Sequence, residues 1–410
     1  MGQSESKKSL RELEEEATLE LHSELARVRE LTAENPPEPT PAVAEKIASS
    51  VDPEWEYVTK TLPTDEEGYV VAFSPDDGEG IREFFAEYGV VVVANAISAE
   101  EAEAGLDGLW NFLARRSDKP GLEDFPTPER NKPETWGPGS WPGLEKLGIL
   151  GDTILLEPAA FDIRVADGVL ASFSHLLGTD EIWVNVGRAS AMRPTVGVRL
   201  PVSALDAERK GDAELLENAE RVVDELGREC VVIEDMSSRR TVEGWLHLDY
   251  NPVTGEGTSF SWKVADPGAN VFDPDDKNVK LQGVVALKDC SKNDGGFHCV
   301  PGIAPHIHDW IALYGDYPPR PSAGDTTVQI PKNDPMRQDI QRVPIRAGSL
   351  LIWDSATPHG TFPNTSGEFR AIQYVKATRR DQKYWRPLFD ASFLPEGWEV
   401  PPGKGAYLGL

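Results

Sequence analysis

The feature that most restricts how this chain folds is a His-x-Asp pair with a histidine and an arginine far downstream. His247 and Asp249 form the pair, His359 is the distant histidine, and Arg370 follows it eleven residues later. Two imidazoles and one carboxylate occupy one face of an octahedral Fe(II) and leave the opposite face open for dioxygen and a cosubstrate. The fold must therefore bring these residues, which are far apart in the sequence, close together on rigid elements.

The residues around the His-x-Asp pair have the alternation of a β-strand. In the run 245–249, His247 and Asp249 fall on one face while the two leucines fall on the other. The run 346–354 predicts a turn followed by a buried strand, which delivers His359. Strands are thus expected to carry both halves of the metal site.

Arg370 lies in another alternating run, 369–375, and shares a face with Ile372 and Tyr374. A cation on the inward face of a strand is costly unless it meets an anion. The planar guanidinium can bind the far carboxylate of a 2-oxo acid through two parallel hydrogen bonds. Together with the three candidate metal ligands, this arginine indicates an iron- and 2-oxoglutarate-dependent dioxygenase.

Such an enzyme hydroxylates an unactivated C–H bond of a small-molecule metabolite while 2-oxoglutarate is converted into succinate and CO2. The expected cofactors are Fe(II), 2-oxoglutarate as cosubstrate and O2, with ascorbate as the reductant in vitro. A carboxylate at position 249 completes the set of three candidate ligands.

Further runs make the chain resemble the phytanoyl-CoA dioxygenase-like (PhyH) family. These are 294–302, 347–354 and 359–366, and an upstream stretch, 81–102, is similar to the opening of the family. The resemblance covers roughly residues 80 to 380. It implies a double-stranded β-helix (jelly roll) in which Fe(II) is held by His247, Asp249 and His359, 2-oxoglutarate is salt-bridged by Arg370, and Thr361 lies near the same carboxylate. Related halogenases have a small residue at the position of Asp249, which leaves a site for chloride, so the resemblance implies hydroxylation.

Two segments depart from the family pattern. A polar insert, 265–278, follows the His-x-Asp pair, and 301–308 replaces the usual Pro-Gly-Ser-His run. The second segment contains His306-x-His308, a rival ligand pair that lacks a carboxylate partner at the expected spacing. The metal assignment survives these departures, but the substrate cannot be inferred.

The pocket walls are less defined by the sequence. Trp262, Phe260 and Phe297 are candidate substrate contacts, although each is equally compatible with an ordinary core position. A second class of function also stays open, namely a non-catalytic or other-metal cupin-type binding protein on the same barrel. The presence of all three candidate ligands and of Arg370 speaks against this second class.

The predicted fold class is α+β, with a jelly-roll core backed by helices and preceded by an N-terminal helical extension. We expect three regions: an amphipathic helix and Pro-rich linker over 1–60, a dioxygenase domain over 61–380 with its core at about 230–380, and an aromatic tail over 381–410 packed on the core. Residues 204–226 also predict a helix.

Composition limits the partners and the compartment. A net charge of −28 argues against nucleic acid as a partner. No run approaches the roughly 20 apolar residues of a transmembrane helix. Three scattered cysteines suggest a reducing, cytoplasmic location, and the N-terminus matches a myristoylation pattern at Gly2, which would give a weak lipid anchor in a eukaryotic host. The oligomeric state is left open.

Overall fold

The computed structural model describes residues 59–115, 125–137, 140–141, 147–150, 157–184, 188–204, 219–249, 281–307, 309–310, 328–332, 334–381 and 394–410. The predicted N-terminal helix, the Pro-rich linker, the polar insert and the aromatic residues Trp262 and Phe260 lie outside these ranges.

Five α-helices lie within the described residues: α1 (Gly78–Tyr88), α2 (Ala99–Arg115), α3 (Pro158–Val165), α4 (Asp167–Leu177) and α5 (Gly405–Leu408). The start of α2 is held by a capping box. The Ser98 hydroxyl accepts the Glu101 amide at 3.1 Å, and the Glu101 carboxylate accepts the Ser98 amide at 2.7 Å. These reciprocal bonds satisfy donors that the first turn leaves free.

The strands within the described residues form three sheets. They are β1 (Ala72–Phe73), β2 (Val90–Val93), β3 (Ile149–Leu150), β4 (Ile182–Val184), β5 (Ala189–Met192), β6 (Val196–Pro201), β7 (Arg221–Val223), β8 (Glu229–Asp235), β9 (His247–Leu248), β10 (Leu281–Ala286), β11 (Gly296–Cys299), β12 (Val328–Gln329), β13 (Gln341–Arg342), β14 (Leu350–Asp354), β15 (His359–Phe362) and β16 (Arg370–Arg379).

The largest sheet has the order β1-β2-β14-β10-β16-β5-β3, with β4 also paired to β16. Its pairs are antiparallel except for β1 with β2. Strand β2 is apolar on both faces, and its four valines are all buried. Helices α1, α2 and α4 contribute buried side chains to the same core, so one face of this sheet is covered by helices.

The second sheet has the order β12-β9-β15-β11-β13, and the third, β6-β8-β7, is a separate three-stranded unit. The inner faces of the first two sheets meet. The ring of Phe297 on β11 lies 4.6 Å from that of Trp353 on β14, and Gln282 on β10 donates to Asp249 after β9 at 2.8 Å. The described chain is thus an α+β fold whose mainly antiparallel sheets enclose a polar site.

One predicted helix is wrong within the residues that the structure describes. The helix expected over 204–226 contains strand β7, Arg221–Val223, which pairs with β8. Residues 205–218 lie outside the described ranges. Gly227, with φ of 74°, allows the tight turn between β7 and β8, and pairing along the hairpin overrides the helical pattern.

The described part of the C-terminal tail contacts helix α3. Leu394 and Trp398 pack with Phe161, Val165 and Leu408, and the Trp398 indole donates to the Asp162 carboxylate at 2.8 Å. Among the described residues, the helices are too short or too polar to cross a membrane.

Candidate metal centre

His247, Asp249 and His359 converge at the inner face of the second sheet. His247 and His359 are direct register partners on the neighbouring strands β9 and β15, and Asp249 follows β9. Its two carboxylate oxygens lie 3.3 Å from Nε2 of His247 and 3.6 Å from Nε2 of His359. One ligand atom from each residue lies within 4.8 Å of the other two. The alternation expected from the sequence therefore brings these residues together.

The His359 ring has a fixed orientation. Its Nδ1 lies 2.8 Å from the carbonyl oxygen of Thr357, which accepts but cannot donate a hydrogen bond. In the neutral ring, Nδ1 therefore carries the hydrogen, and Nε2 presents its lone pair towards Asp249. Two acceptors that face each other in a buried site repel unless a cation lies between them.

Gln282 fixes the Asp249 carboxylate from the opposite sheet. Its amide donates to Asp249 Oδ2 at 2.8 Å and to the Ser355 hydroxyl at 3.2 Å. Gln282 is itself buried on β10. The amide therefore orients the carboxylate and leaves the other oxygen, Oδ1, directed towards His247.

The protonation states in the cluster suit metal binding. Burial alone would raise the pKa of Asp249, but donation and charge from the protonated forms of His247 and His359 hold it well below its usual range. When the two rings are neutral, a bound cation takes over this role. Burial and the neighbouring His247 lower the pKa of His359. An ionised carboxylate beside a neutral imidazole is the state in which both bind a metal.

Aromatic rings surround the histidines. Trp245 stacks on His247 at 4.7 Å between ring centroids, and Phe297 and Trp353 lie 5.6 and 5.4 Å from His359. Phe297 was singled out from the sequence, and the structure places it beside the cluster. Trp353 lies in a continuously apolar strand, so its sequence gave no sign of which face it occupies.

Arg370 lies in a buried cradle against Gly296, which is three residues along β11 from Cys299, the register partner of His359. The Arg370 side chain is 3 % exposed, and one guanidinium nitrogen donates to the Ser190 hydroxyl at 3.3 Å. Nε of Arg370 has no hydrogen-bond partner among the described residues. The backbone of Gly296 (φ +100°) passes so close that an added Cβ would lie 2.5 Å from this nitrogen.

Thr361 lies on β15, where it is the register partner of Phe297, the residue that follows Gly296 on β11. Its hydroxyl oxygen is also buried and has no hydrogen-bond partner among the described residues. Buried polar atoms are normally satisfied. The hydroxyl and the Arg370 guanidinium therefore leave hydrogen-bonding capacity that a bound anion would use.

The other histidines occupy different positions. His306 binds the Asp309 carboxylate at 3.2 Å in a segment away from the cluster, and His308 lies outside the described residues. His298 alternates with Phe297 on β11, lies opposite Gly360 and contacts the Phe362 ring at 4.2 Å. Burial lowers the pKa of His298 to about 3, so this ring is neutral.

The sequence did not single out Gln282, Ser190 or Trp353. Gln282 occurs in an apolar strand, where a lone amide was a signal for a buried polar contact. Ser190 occurs in a run of small residues, and nothing in the sequence aligns it with Arg370. Cross-strand register, which sequence periodicity does not provide, decides these contacts.

Two histidines and one carboxylate whose ligand atoms lie within 4.8 Å of one another fit an iron site. The fixed His359 lone pair and the facing Asp249 carboxylate support this fit. The chemistry of the ligand set is distinct from structural zinc sites, which use four cysteine and histidine ligands.

Comparison with known proteins agrees with the motifs. The family model "Phytanoyl-CoA dioxygenase (PhyH)" matches residues 204–372, a range that contains His247, Asp249, His359 and Arg370. A Dictyostelium discoideum protein named "Putative phytanoyl-CoA dioxygenase" is 22 % identical over 349 residues, which cover 77 % of this chain and 84 % of that protein.

Among solved structures, an alpha-ketoglutarate-dependent carbocyclase from nogalamycin biosynthesis is 14 % identical, with a TM-score of 0.41 and coverage of 78 % of this chain and 92 % of that chain. An epimerase in complex with Fe3+ and alpha ketoglutarate is 16 % identical, with a TM-score of 0.40 and coverage of 80 % and 92 %.

The similarity to the phytanoyl-CoA dioxygenase family that the motifs indicate is confirmed by the family match. Over residues 204–372 the chain is PhyH-like, and together with the His-His-Asp cluster this indicates an enzyme of the oxygenase type.

Proposed function

We propose that this chain is an Fe(II)- and 2-oxoglutarate-dependent dioxygenase that hydroxylates an unactivated C–H bond of a small-molecule metabolite. The observation that carries the proposal is the convergence of His247, Asp249 and His359 within 4.8 Å, next to the buried Arg370. A metal with three protein ligands on one face keeps positions for a cosubstrate and dioxygen.

In this proposal His247 and His359 bind the metal through Nε2, and Asp249 binds through a carboxylate oxygen. The bound iron, with dioxygen and 2-oxoglutarate, would supply the oxidation of the substrate, and succinate and CO2 would leave as co-products. The Thr357 carbonyl and the Gln282 amide hold two of the three ligands in place. The carboxylate at 249 occupies the position that chloride needs in halogenases, so hydroxylation is the expected outcome.

Arg370 and Thr361 would bind the distal carboxylate of 2-oxoglutarate. Nε of Arg370 and the Thr361 hydroxyl are buried and without hydrogen-bond partners in the described part of the chain, and Gly296 leaves the space beside the guanidinium. A carboxylate in this cradle would gain charge-assisted bonds, while the buried charge would gain its counterion.

The aromatic residues would exclude water from the reacting groups. Trp245, Phe297 and Trp353 surround the two imidazoles, and a dry site strengthens the electrostatic contacts within it. Phe297 is therefore a substrate-facing candidate, and Trp262 and Phe260 stay predictions from the sequence alone.

The arrangement of the two facing sheets supports a double-stranded β-helix as the catalytic core, within a domain over about 61–380. In this proposal the tail over 381–410 completes the packing, and the enzyme acts in the cytoplasm, where iron is kept ferrous.

The proposal is tested by turnover of 2-oxoglutarate without a primary substrate. Protein supplied with Fe(II), ascorbate and 2-oxoglutarate is expected to form succinate. The variants His247→Ala, Asp249→Ala and His359→Ala should each lose this turnover, because each removes one of three ligands. His306→Ala, whose ring binds Asp309 instead, is the matched control and should keep it.

Retention of near wild-type turnover by any of the three ligand variants would remove that residue from the metal site. A wild-type protein that binds a divalent metal but forms no succinate would instead support the cupin-type binding protein. Screening small metabolites for stimulation of succinate formation would then identify the substrate.

A further inference from the structure

The outer face of the second sheet, opposite the metal cluster, carries a polar group beside an apolar cluster. Leu246 and Leu248 alternate with His247 along the chain and pack with Val300 in a cluster separate from the main core. His298 precedes Val300 by two residues and therefore lies on the same outer face. The sheet itself thus separates the His298 side chain from the metal cluster.

The His298 imidazole is buried without a hydrogen-bond partner. The residue is 1 % exposed, and neither ring nitrogen has a partner among the described residues. Nε2 lies against the backbone of Gly360, where an added Cβ would be 2.7 Å from this nitrogen, so Nδ1 is the nitrogen that a ligand would reach. Because buried polar atoms are normally satisfied, a neutral ring that carries its hydrogen on Nδ1 can donate it to a bound acceptor.

Arg342 lies beside this imidazole. It is the register partner of His298 on β13, and register partners in an antiparallel pair have their side chains on the same face. The Arg342 guanidinium carbon lies 4.0 Å from the centroid of the Phe362 ring, and the His298 ring lies 4.2 Å from the same centroid. The guanidinium and the imidazole therefore border one aromatic ring.

The Arg342 guanidinium has an unused donor in this group. Nη1 is buried and has no hydrogen-bond partner within the part of the chain that the structure describes. The carboxylate that acts on Arg342 is that of Glu243, an exposed residue that forms no ion pair with it within the described residues. Since water screens an exposed charge, this carboxylate does not satisfy the buried nitrogen. The planar guanidinium is instead suited to an oxyanion, because its N–H groups match carboxylate and phosphate oxygens.

We propose that Arg342, His298 and Phe362 form a binding site for a small oxyanion, a carboxylate or a phosphate, on the outer face of the second sheet. Arg342 contributes the charge and the Nη1 donor, His298 adds a second donor, and the Phe362 ring holds the guanidinium in position. The site contains neither a metal ligand nor Arg370, so it stands independently of the proposed function. Because the sheet lies between this site and the metal cluster, its ligand is an effector and not the substrate.

The test compares oxyanions with a neutral analogue. The full-length chain without added metal is titrated calorimetrically with acetate, with inorganic phosphate and with acetamide at constant ionic strength. Each titration is repeated on Arg370→Ala, which removes the other buried guanidinium that an anion could occupy. At least one of the two anions should bind with the same affinity in both proteins, and which of them binds identifies the oxyanion class. Acetamide should bind at least about 10-fold more weakly, as expected for loss of a hydrogen bond between charged groups.

Arg342→Met should weaken anion binding by about 10-fold or more, and Arg342→Lys should recover part of the loss because it keeps the charge. His298→Leu, which removes the second donor, should also weaken binding and keeps the test valid if Arg342→Met does not fold. Arg221→Met is the matched control, since it alters an exposed arginine paired with Glu229 on the separate three-stranded sheet. This control should bind the anion as the wild type does.

Three results would overturn the site. The first is that neither acetate nor phosphate binds, or that acetamide binds as well as they do. The second is that anion binding persists unchanged in a folded Arg342→Met or His298→Leu protein. The third is that Arg370→Ala abolishes the binding, since the anion would then occupy the Arg370 cradle.

Discussion

Replacement of Arg370 by alanine should separate cosubstrate binding from metal binding. The guanidinium is 3 % exposed, one of its nitrogens makes a long 3.3 Å bond to Ser190, and Nε has no hydrogen-bond partner among the described residues. A bound carboxylate would thus provide most of the electrostatic compensation for this buried charge. The variant loses no metal ligand, so its affinity for the metal should be unchanged.

The magnitude follows from the burial of the pair. Truncation of one partner of a buried, charged hydrogen-bonded pair costs roughly 2–5 kcal/mol. The lower value corresponds to about 30-fold weaker binding of 2-oxoglutarate, because about 1.4 kcal/mol is a factor of ten. Arg370→Lys should recover part of the loss, since an ammonium keeps the charge but not the two parallel bonds.

The assay is an anaerobic calorimetric titration of the Co(II)-loaded protein with 2-oxoglutarate. Arg221→Ala, which removes an exposed arginine paired with Glu229 on the separate three-stranded sheet, is the control and should bind normally. Unfolding of the ligand-free protein provides a second readout. Arg370→Ala should be no less stable than the wild type, because it removes a poorly compensated buried charge. Wild-type affinity for 2-oxoglutarate in Arg370→Ala would refute the cosubstrate assignment.

Three further predictions test the surroundings of the site. Gln282→Leu should weaken metal binding by about 10–100-fold, because Asp249 loses its orienting amide; an unchanged metal titration would contradict this. Gly296→Ala should weaken 2-oxoglutarate binding and cost about 1–3 kcal/mol of stability, since φ is +100° and its Cβ would meet Arg370; calorimetry and chemical denaturation measure both. Burial lowers the pKa of His298 to about 3, so this ring stays neutral in the folded chain. In the unfolded chain the same ring takes up a proton below about pH 6.5. Stability should therefore fall as the pH falls from about 6.5 towards 3, by about 2 kcal/mol at pH 5 from this residue, and denaturation of His298→Asn should show a correspondingly smaller loss between pH 7 and pH 5.

The convergence of His247, Asp249 and His359 was predictable because alternation along a strand determines which side chains share a face. The His-x-Asp spacing places both residues on the inner face, and the buried strand before His359 returns the chain to the same sheet. The buried, inward position of Arg370 was predictable for a similar reason, since alternation along its run places it on the same face as apolar side chains.

The contacts that the sequence did not reveal depend on the register between strands that are distant in the chain. Arg342 and His298 are 44 positions apart, and only the pairing of β11 with β13 makes them neighbours. The wrong helix over 204–226 has a different cause. The spacing of the apolar residues in this range was compatible with a helix. In the described part, however, Arg221–Val223 form a strand because they pair with β8.

The central claim is that one metal ion lies between His247, Asp249 and His359 with 2-oxoglutarate extending to Arg370. A crystal grown without oxygen in the presence of Fe(II) and 2-oxoglutarate, measured at the iron absorption edge, tests it most directly. We expect a single anomalous peak at about 2.0–2.2 Å from the two Nε2 atoms and one Asp249 oxygen, which is the usual range for such ligands. We also expect a carboxylate of 2-oxoglutarate to be bound to the Arg370 guanidinium. A peak at another set of residues, or 2-oxoglutarate bound away from Arg370, would contradict it.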